Sequence, residues 1–283
     1  MRWPRLHDPH TLRRLAAPDD DLPALLPEFI ARMREVVGHP GMVAADLEER
    51  VRLARAYPWE RPEHPVIITG DRVDPDGPLT DGVERFPLLA FGANAAPSRL
   101  AAKLGGVTPA PLRLVPATLT GFDVVAGPIL TTAGTVPAVL AASPGTEVRV
   151  AVLWATEAHL ERLTLTEFGY RYGRLDGITL RCDDGTDLDS ALAYLGRSGV
   201  FDLDGAPVAL AAVPAHGRTF PQRTQAQLHG LCAARLHGAP DDGEALVRWL
   251  LEGPPERATE VALRLRRHAL HLDPPEGFVP YPV

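Results

Sequence analysis

The sequence predicts an α+β protein, with helical regions at both ends and a central, mostly antiparallel β unit of roughly 120 residues. Apolar residues recur at three- and four-residue spacing in the first sixty or so positions and again after Thr224, which is typical of amphipathic helices. From Phe86 to Ala212, short apolar runs are separated by Gly- and Pro-containing turn signals, which is typical of strands. We therefore expect a helical N-terminal region and connector over 1–82, a β domain over 83–223 and a helical C-terminal region over 224–283.

Composition limits the classes of function. The chain has 283 residues, 45% hydrophobic and 23% charged, which is ordinary for a globular protein able to bury a core. The formal net charge is −7, Lys is scarce and no Lys/Arg-dense run is present, so a nucleic-acid partner is not expected. The high content of Pro, Ala, Arg and Leu indicates GC-rich coding, as in many bacteria, rather than a low-complexity segment.

The cellular location is predicted from the absence of disulfide, signal-peptide and membrane-span patterns in the sequence. The two cysteines, Cys182 and Cys232, form no CxxC pair and are too few for a disulfide framework. The first residues, MRWPRLHDPHTLRRL, lack the apolar core of a signal peptide, and no run approaches the ~18 apolar residues of a membrane span. The expectation is a cytoplasmic protein with no membrane partner.

The N-terminal elements are predicted from periodicity. One helical pattern comprises Leu22, Leu25, Leu26, Phe29, Ile30 and Met33, and a second comprises Leu47, Val51 and Leu53. Residues 57–82 are rich in Pro, Asp and Gly and are predicted to form a connector with one short strand, Val66–Thr69. Within it, residues 71–77 (DRVDPDG) lack the final glutamate of a calcium loop and are predicted to form a turn.

The central strands follow from short apolar runs. The sequence predicts that Pro87–Phe91 is a strand buried on both faces. It predicts two strands within Leu112–Val125, one on each side of Thr120-Gly121. Thr135–Ala141 and Val148–Trp154 flank Pro144-Gly145, which is a turn signal. Thr156 is placed to cap a helix over 157–166.

Two Asp-Gly pairs predict hairpins. Asp184-Gly185 lies between the strands 178–181 and 191–194, and Asp204-Gly205 lies between 200–203 and 208–212. Thr224 and Gln227 form a capping box for a helix that reaches His237, and two further helices are expected over 241–251 and 255–270. His268 and His271 near the last helix end have no apparent third ligand, so a solvated helix face is preferred to a metal site.

The first candidate for chemistry is the turn Phe91-Gly92-Ala93-Asn94-Ala95. A Gly-small-Asn turn between a strand and a helix collects backbone N–H groups that can bind an anion or an oxyanion. The alternative is an ordinary strand-to-helix turn that uses permissive residues. It is not a P-loop, because the GK[ST] signature is missing.

The second candidate is Glu167, at the predicted end of a helix and followed by Phe168, Tyr170 and Tyr172. A carboxylate is disfavoured at a helix C-terminus, and aromatic neighbours limit its solvation, so Glu167 could act as a general acid or base near neutral pH. The alternative is an exposed glutamate at a frayed helix end.

Taken in order, these stretches resemble the gamma-glutamylcyclotransferase-like family. Phe91–Asn94 is similar to the family's Y/F-G-S-N signature, and Val115–Phe122 to its "xxAxLxGY/F" strand. Gly134–Val139 followed by Val148–Leu153 is similar to its next pair of strands. Leu163–Glu167 falls where the family has L-D-x-x-E-G, whose Glu is the catalytic base. The resemblance covers about residues 86–195.

The resemblance implies a small closed or nearly closed β-barrel that cyclises a γ-glutamyl amine or peptide and releases 5-oxoproline, with no metal or cofactor. Glu167 would be the catalytic base. The substrate would contact the turn residues Phe91, Gly92, Ala93, Asn94 and Ala95 together with Tyr170 and Tyr172. The terminal helices, outside the resemblance, are candidates for a lid or for a homodimer interface.

Three departures separate this chain from the family pattern. Ala93 replaces the family serine, Thr164 replaces the acid before the base, and Phe168 replaces the following glycine. These departures keep two other hypotheses open: a catalytically silent member of the fold that acts as a binding or scaffold module, and an amide-cleaving relative with another substrate.

Overall fold

The fold is organised around a β-sheet that closes on itself. The computed structural model describes residues 2–19, 24–25, 27–28, 31–32, 46–104 and 110–282. Within these ranges the helices are α1 Pro9–Ala16, α2 Leu47–Arg55, α3 Pro97–Leu104, α4 Glu157–Thr164, α5 Gln225–Arg235, α6 Gly243–Glu252 and α7 Pro255–Arg266. A 3₁₀ turn spans Ala93–Ala95.

The same ranges contain eight strands of four or more residues and six shorter ones. The longer strands are β1 Val66–Thr69, β2 Arg72–Pro75, β3 Phe86–Ala90, β4 Leu112–Ala126, β5 Ala138–Ala155, β6 Tyr170–Cys182, β7 Asp187–Gly196 and β8 Val200–Leu203. The shorter strands are β9 Ala206–Pro207, β10 Ala209–Leu210, β11 Ala215–His216, β12 Gln222–Arg223, β13 Ala269–Leu270 and β14 Phe278–Pro280.

Five strands form a closed barrel in the order β5-β3-β7-β6-β4, and pairing of β4 with β5 closes the ring. All neighbours are antiparallel except β3 and β7, which are parallel. Strands from outside the ring extend it, because β1 pairs with β4 and β14 pairs with β6. The expected mixed α+β class and the β-barrel are confirmed, and closure leaves the ring without free edges.

Strand β3 is apolar on both faces because both of its faces are covered. Every residue of β3 is buried. Leu89 and Phe91 pack with residues of the other four barrel strands, which fill the interior. Leu88 and Ala90, on the opposite face, pack with apolar side chains of α3 and α4. This two-residue alternation explains why β3 reads as one continuous apolar run in the sequence.

Two predicted strand breaks are wrong. The two pieces expected around Thr120-Gly121 form one strand, β4, and β5 continues through Pro144-Gly145. Gly121 and Gly145 both have φ +84, a conformation that glycine adopts without strain. The β4–β5 register shifts between Thr120 and Phe122, so the glycines permit a β-bulge that bends a long strand instead of ending it.

The N-terminal connector holds more sheet than expected. Val66–Thr69 is a strand as predicted, but residues 71–77 are not simply a turn, because they contain β2. Gly70 has φ +62 and makes the tight reversal that pairs Thr69 with Arg72. The predicted helix built on Leu22, Leu25, Leu26, Phe29, Ile30 and Met33 lies largely outside the described residues.

Local signals elsewhere agree with the structure. Asp184-Gly185 joins β6 to β7, and Asp204-Gly205 joins β8 to the two-residue β9. The Thr224–Gln227 capping box starts α5. Cys182 and Cys232 are buried free thiols. Within the described ranges, the helices are too short or too polar to cross a lipid bilayer.

Candidate functional site

A cavity of about 230 Å³ lies at the C-terminal end of β3. Its wall includes Phe91, Gly92, Ala93 and Asn94 from the turn after β3, and Glu167 from the turn after α4. These residues come from the two stretches in which the sequence predicts chemistry. Drug-sized ligands usually occupy pockets of ~300–1,000 Å³, so this cavity suits a smaller molecule.

The turn after β3 is anchored by Arg61. Its guanidinium is largely buried and donates to the backbone carbonyls of Phe91 and Arg149. Burial lowers the pKa of Arg61 to about 10, so the side chain stays cationic at neutral pH. The 3₁₀ turn then uses the carbonyls of Gly92 and Ala93 to bind the N–H groups of Ala95 and Ala96. Among the described residues, no protein acceptor binds the N–H of Gly92 or Asn94, which leaves these donors for a ligand.

Glu167 lies three residues beyond the end of α4, in a turn that buries it to 9% exposure. Arg14 of α1 holds this turn through its guanidinium group. Its guanidinium donates to the carbonyls of Thr164 (3.4 Å), Glu167 (3.3 Å) and Tyr170 (3.1 Å). Burial lowers the pKa of Arg14 to about 10. Arg14 thus adds hydrogen bonds to three carbonyls of this turn and fixes the backbone that carries the carboxylate.

Three side chains form a closed ring of hydrogen bonds in the cavity wall. The Asn94 amide donates to Glu167 Oε1 at 3.0 Å, and Lys103 Nζ donates to the same oxygen at 3.0 Å. Lys103 also donates to Asn94 Oδ1 at 2.8 Å. Each member therefore restricts the other two, and Asn94 contributes its side chain to the site as well as its backbone.

Lys103 is the residue that sequence reasoning missed. It lies in α3, outside the quoted motifs, and its side chain is 13% exposed. It is also the only lysine among the 29 basic residues of the chain. Where arginine otherwise supplies every cation, one retained lysine indicates a position that needs a compact ammonium group, and this was a signal available from the sequence.

Three tyrosines line the cavity: Tyr57, Tyr170 and Tyr194. Burial raises the pKa of each hydroxyl well above its ordinary value, with further contributions from nearby charges. All three stay protonated at neutral pH. Tyr170 was expected in the site, whereas Tyr57 and Tyr194 lie in segments that the sequence assigned to a connector and to a strand.

Other predicted residues lie away from the cavity wall. Ala95 is fully buried behind the turn, and Tyr172 packs between Tyr194 and Tyr281 at centroid distances of 5.1 and 5.4 Å. Thr164, at the position of the family acid, donates to the Leu160 carbonyl at 2.7 Å and so has a structural role at the end of α4. The structure thus brings together most of the predicted set, without Ala95 and Tyr172.

In the part of the chain that the structure describes, no three His, Cys, Asp or Glu side chains converge as ligands. Comparisons of the chain with protein-family models, with curated proteins and with solved structures find no match. The basis for a candidate function is therefore the cavity and the residues that line it.

Proposed function

We propose that this chain is a gamma-glutamylcyclotransferase-like enzyme that cyclises a γ-glutamyl amine or peptide and releases 5-oxoproline. One observation carries the proposal. Glu167 and the N–H donors of Gly92 and Asn94 line one cavity, and the Asn94 amide lies 3.0 Å from the Glu167 carboxylate. A small substrate in this cavity can contact a base and a set of carbonyl-binding donors together.

The reaction needs a base, a carbonyl site and a folded substrate. Glu167 accepts a proton as the α-amino nitrogen bonds to the γ-carbonyl carbon. The oxygen of that carbonyl gains negative charge, which the N–H groups of Gly92 and Asn94 stabilise. The tetrahedral intermediate then breaks the bond between the former carbonyl carbon and the nitrogen of the departing amine, which takes the proton from Glu167. Atoms and charge balance without a cofactor.

The size and shape of the cavity support an intramolecular reaction. A cavity of about 230 Å³ favours a compact, folded γ-glutamyl group over an extended one. Holding the amine against the carbonyl in this way supplies much of the rate enhancement in cyclisation reactions. The closed five-stranded barrel with helices on its outer face also fits the fold that the sequence resemblance implies.

Lys103 has a defined place in this scheme. Its ammonium lies 3.0 Å from Glu167, so it disfavours a second cation at the same carboxylate. A substrate amine beside Lys103 gives up its proton more readily and enters the reaction as the neutral nucleophile.

The same ion pair favours a second candidate function. Lys103 already neutralises Glu167, and Ala93 lacks the hydroxyl of the family serine. A barrel with its base neutralised in this way could bind a small γ-glutamyl or lactam molecule without turning it over. This candidate is a binding module, and it shares the cavity but not the chemistry.

The deciding experiment is a screen of γ-glutamyl compounds for 5-oxoproline release, with wild-type protein and the Glu167→Gln variant. Glutamine is nearly isosteric but cannot accept the proton, so we expect turnover to fall at least ~10²-fold while ligand binding persists. Glu157→Gln is the matched control, because Glu157 lies on α4 but contacts Arg2 and Arg5 rather than the cavity. The control should keep wild-type turnover.

Each alternative has its own outcome. Turnover that survives Glu167→Gln places the base elsewhere and contradicts the proposed mechanism. Binding of γ-glutamyl compounds by the wild-type protein without 5-oxoproline release supports the binding module.

A further inference from the structure

Tyr57 places a hydroxyl at the turn after β3, although it comes from the segment after α2, outside the region of family resemblance. The Ala138 N–H donates to the Tyr57 oxygen at 2.8 Å. Gly92 permits this approach, because a Cβ at position 92 would lie 2.6 Å from the hydroxyl oxygen.

The hydroxyl groups of the other two cavity tyrosines already donate their protons to hydrogen bonds within the protein. Tyr170 donates to the Ala138 carbonyl at 2.8 Å. Tyr194 lies 2.8 Å from the Thr164 hydroxyl, whose own proton goes to the Leu160 carbonyl, so Tyr194 must be the donor of that pair. Neither side chain has a proton left for a ligand.

The Tyr57 hydroxyl differs in this respect. A phenol has one proton and accepts through its oxygen, and the Ala138 N–H is directed at that oxygen. Among the residues that the structure describes, no acceptor receives the Tyr57 proton. Tyr57 lines the cavity, so its O–H can be directed at a ligand. The donor on its oxygen polarises the O–H and makes it a stronger donor.

We propose that the Tyr57 hydroxyl donates a hydrogen bond to the carbonyl oxygen of a γ-glutamyl or lactam ligand in the cavity. This inference rests on the proposed function, in which that oxygen becomes negatively charged in the transition state. Tyr57 then forms the carbonyl site together with the N–H groups of Gly92 and Asn94. Tyr57 is a catalytic residue in this scheme, since it contacts the reacting oxygen.

The test is Tyr57→Phe, measured in two ways. In 5-oxoproline release we expect kcat to fall ~10²- to 10³-fold with a much smaller change in KM, as for other lost oxyanion donors. In titrations with 5-oxoproline and with the neutral lactam 2-pyrrolidinone, we expect affinity to fall about tenfold, on the order of one lost hydrogen bond. The second readout does not depend on turnover.

Tyr172→Phe is the matched control. It removes another buried tyrosine hydroxyl, one that lies outside the cavity wall and has no hydrogen-bond partner among the described residues, so both readouts should match the wild type. Replacement of Tyr57 by 3-fluorotyrosine is a second variant that keeps the ring and the hydroxyl. Its more acidic O–H should raise lactam affinity, which tests the inference even if Tyr57→Phe does not fold.

Three outcomes overturn the inference. The first is unchanged turnover and lactam affinity in Tyr57→Phe. The second is an increase in either, because the hydroxyl would then block the site. The third is a wild-type protein that binds no lactam and no γ-glutamyl compound. If the wild-type protein releases no 5-oxoproline but binds lactam through Tyr57, the inference stands and the proposed function fails.

Discussion

At the scale of single residues, the site is built from side chains that satisfy one another. The three side chains of the ring, those of Glu167, Asn94 and Lys103, are largely buried. Each of them forms a hydrogen bond with both of the others. A buried carboxylate without such partners would carry a desolvation cost of several kcal/mol. The hydrogen bonds among the three side chains therefore offset this cost, and their energetics can be measured directly.

The first prediction concerns this pair. Lys103→Met should lower the free energy of unfolding by about 1–3 kcal/mol, because it leaves the Glu167 carboxylate without its cation. In a double-mutant cycle with Glu167→Gln, measured by chemical denaturation, the two substitutions should show a coupling energy of about 1–3 kcal/mol. Additive effects would mean that the ammonium and the carboxylate do not interact. Lys103→Arg keeps the charge and reports whether the compact ammonium itself is required.

At the scale of the element, α4 positions Glu167 through both of its ends. Arg14 binds the carbonyls after the last turn, and a capping box closes the first turn. In that box the Thr156 N–H donates to His159 Nδ1 at 3.2 Å, while His159 Nε2 lies 3.1 Å from the Ala110 carbonyl. The imidazole must accept at Nδ1 and donate at Nε2, so this arrangement needs the neutral ring.

The second prediction is that the stability of the folded protein depends on pH through this cap. Burial lowers the pKa of His159 from 6.5 to about 4. The unfolded chain therefore binds the proton more readily, and the stability that the neutral ring supports is lost progressively as the pH falls from about 6.5 to about 4. His159→Gln keeps a capping residue at this position but does not titrate.

The measurement is urea denaturation at several pH values between 4 and 7. The variant should lose stability with acid less steeply than the wild type. The pH dependence of the variant's stability should not disappear, because burial also lowers the pKa of His229 to about 4. Equal slopes in variant and wild type would contradict the assignment to His159.

At the scale of the whole molecule, segments from both ends of the described chain pack against the barrel. The C-terminal strand β14 pairs with β6, and the Tyr281 hydroxyl donates to the Pro4 carbonyl and accepts from the Leu6 N–H. Arg14 of the N-terminal segment in turn holds the Glu167 turn. The terminal regions, whose role the sequence left open, thus support the site from outside the ring.

The third prediction tests the docking of β14. A Cβ at Gly173 would lie 2.5 Å from both the Phe278 ring and the Val279 carbonyl, so Gly173→Ala should displace β14 and destabilise the protein by about 1–3 kcal/mol. Gly230→Ala in α5 is the control, since a Cβ there meets nothing within 4 Å. The control should be neutral or stabilising by up to about 1 kcal/mol. Equal melting temperatures for the two variants would show that β14 contributes nothing.

Local features of the fold could be predicted because they depend on neighbours in the sequence. The capping residues Thr156 and Thr224 and the Asp-Gly turns act over a few positions. The continuous apolar run of β3 follows from burial on both faces. The same local rules could not show that β4 and β5 continue through their glycines, because a bulge and a turn use the same residues.

The sequence by itself determined two candidate sites for chemistry. They are the strand-to-helix turn at Gly92 and a glutamate beyond the end of a helix. Only the tertiary structure decided that they meet, since Asn94 and Glu167 are 73 residues apart and come together through the closure of the barrel. It also decided that Lys103 and Tyr57 join them. Such contacts depend on strand register and on helix docking, which are set by the packing of the whole molecule, and no local pattern encodes them.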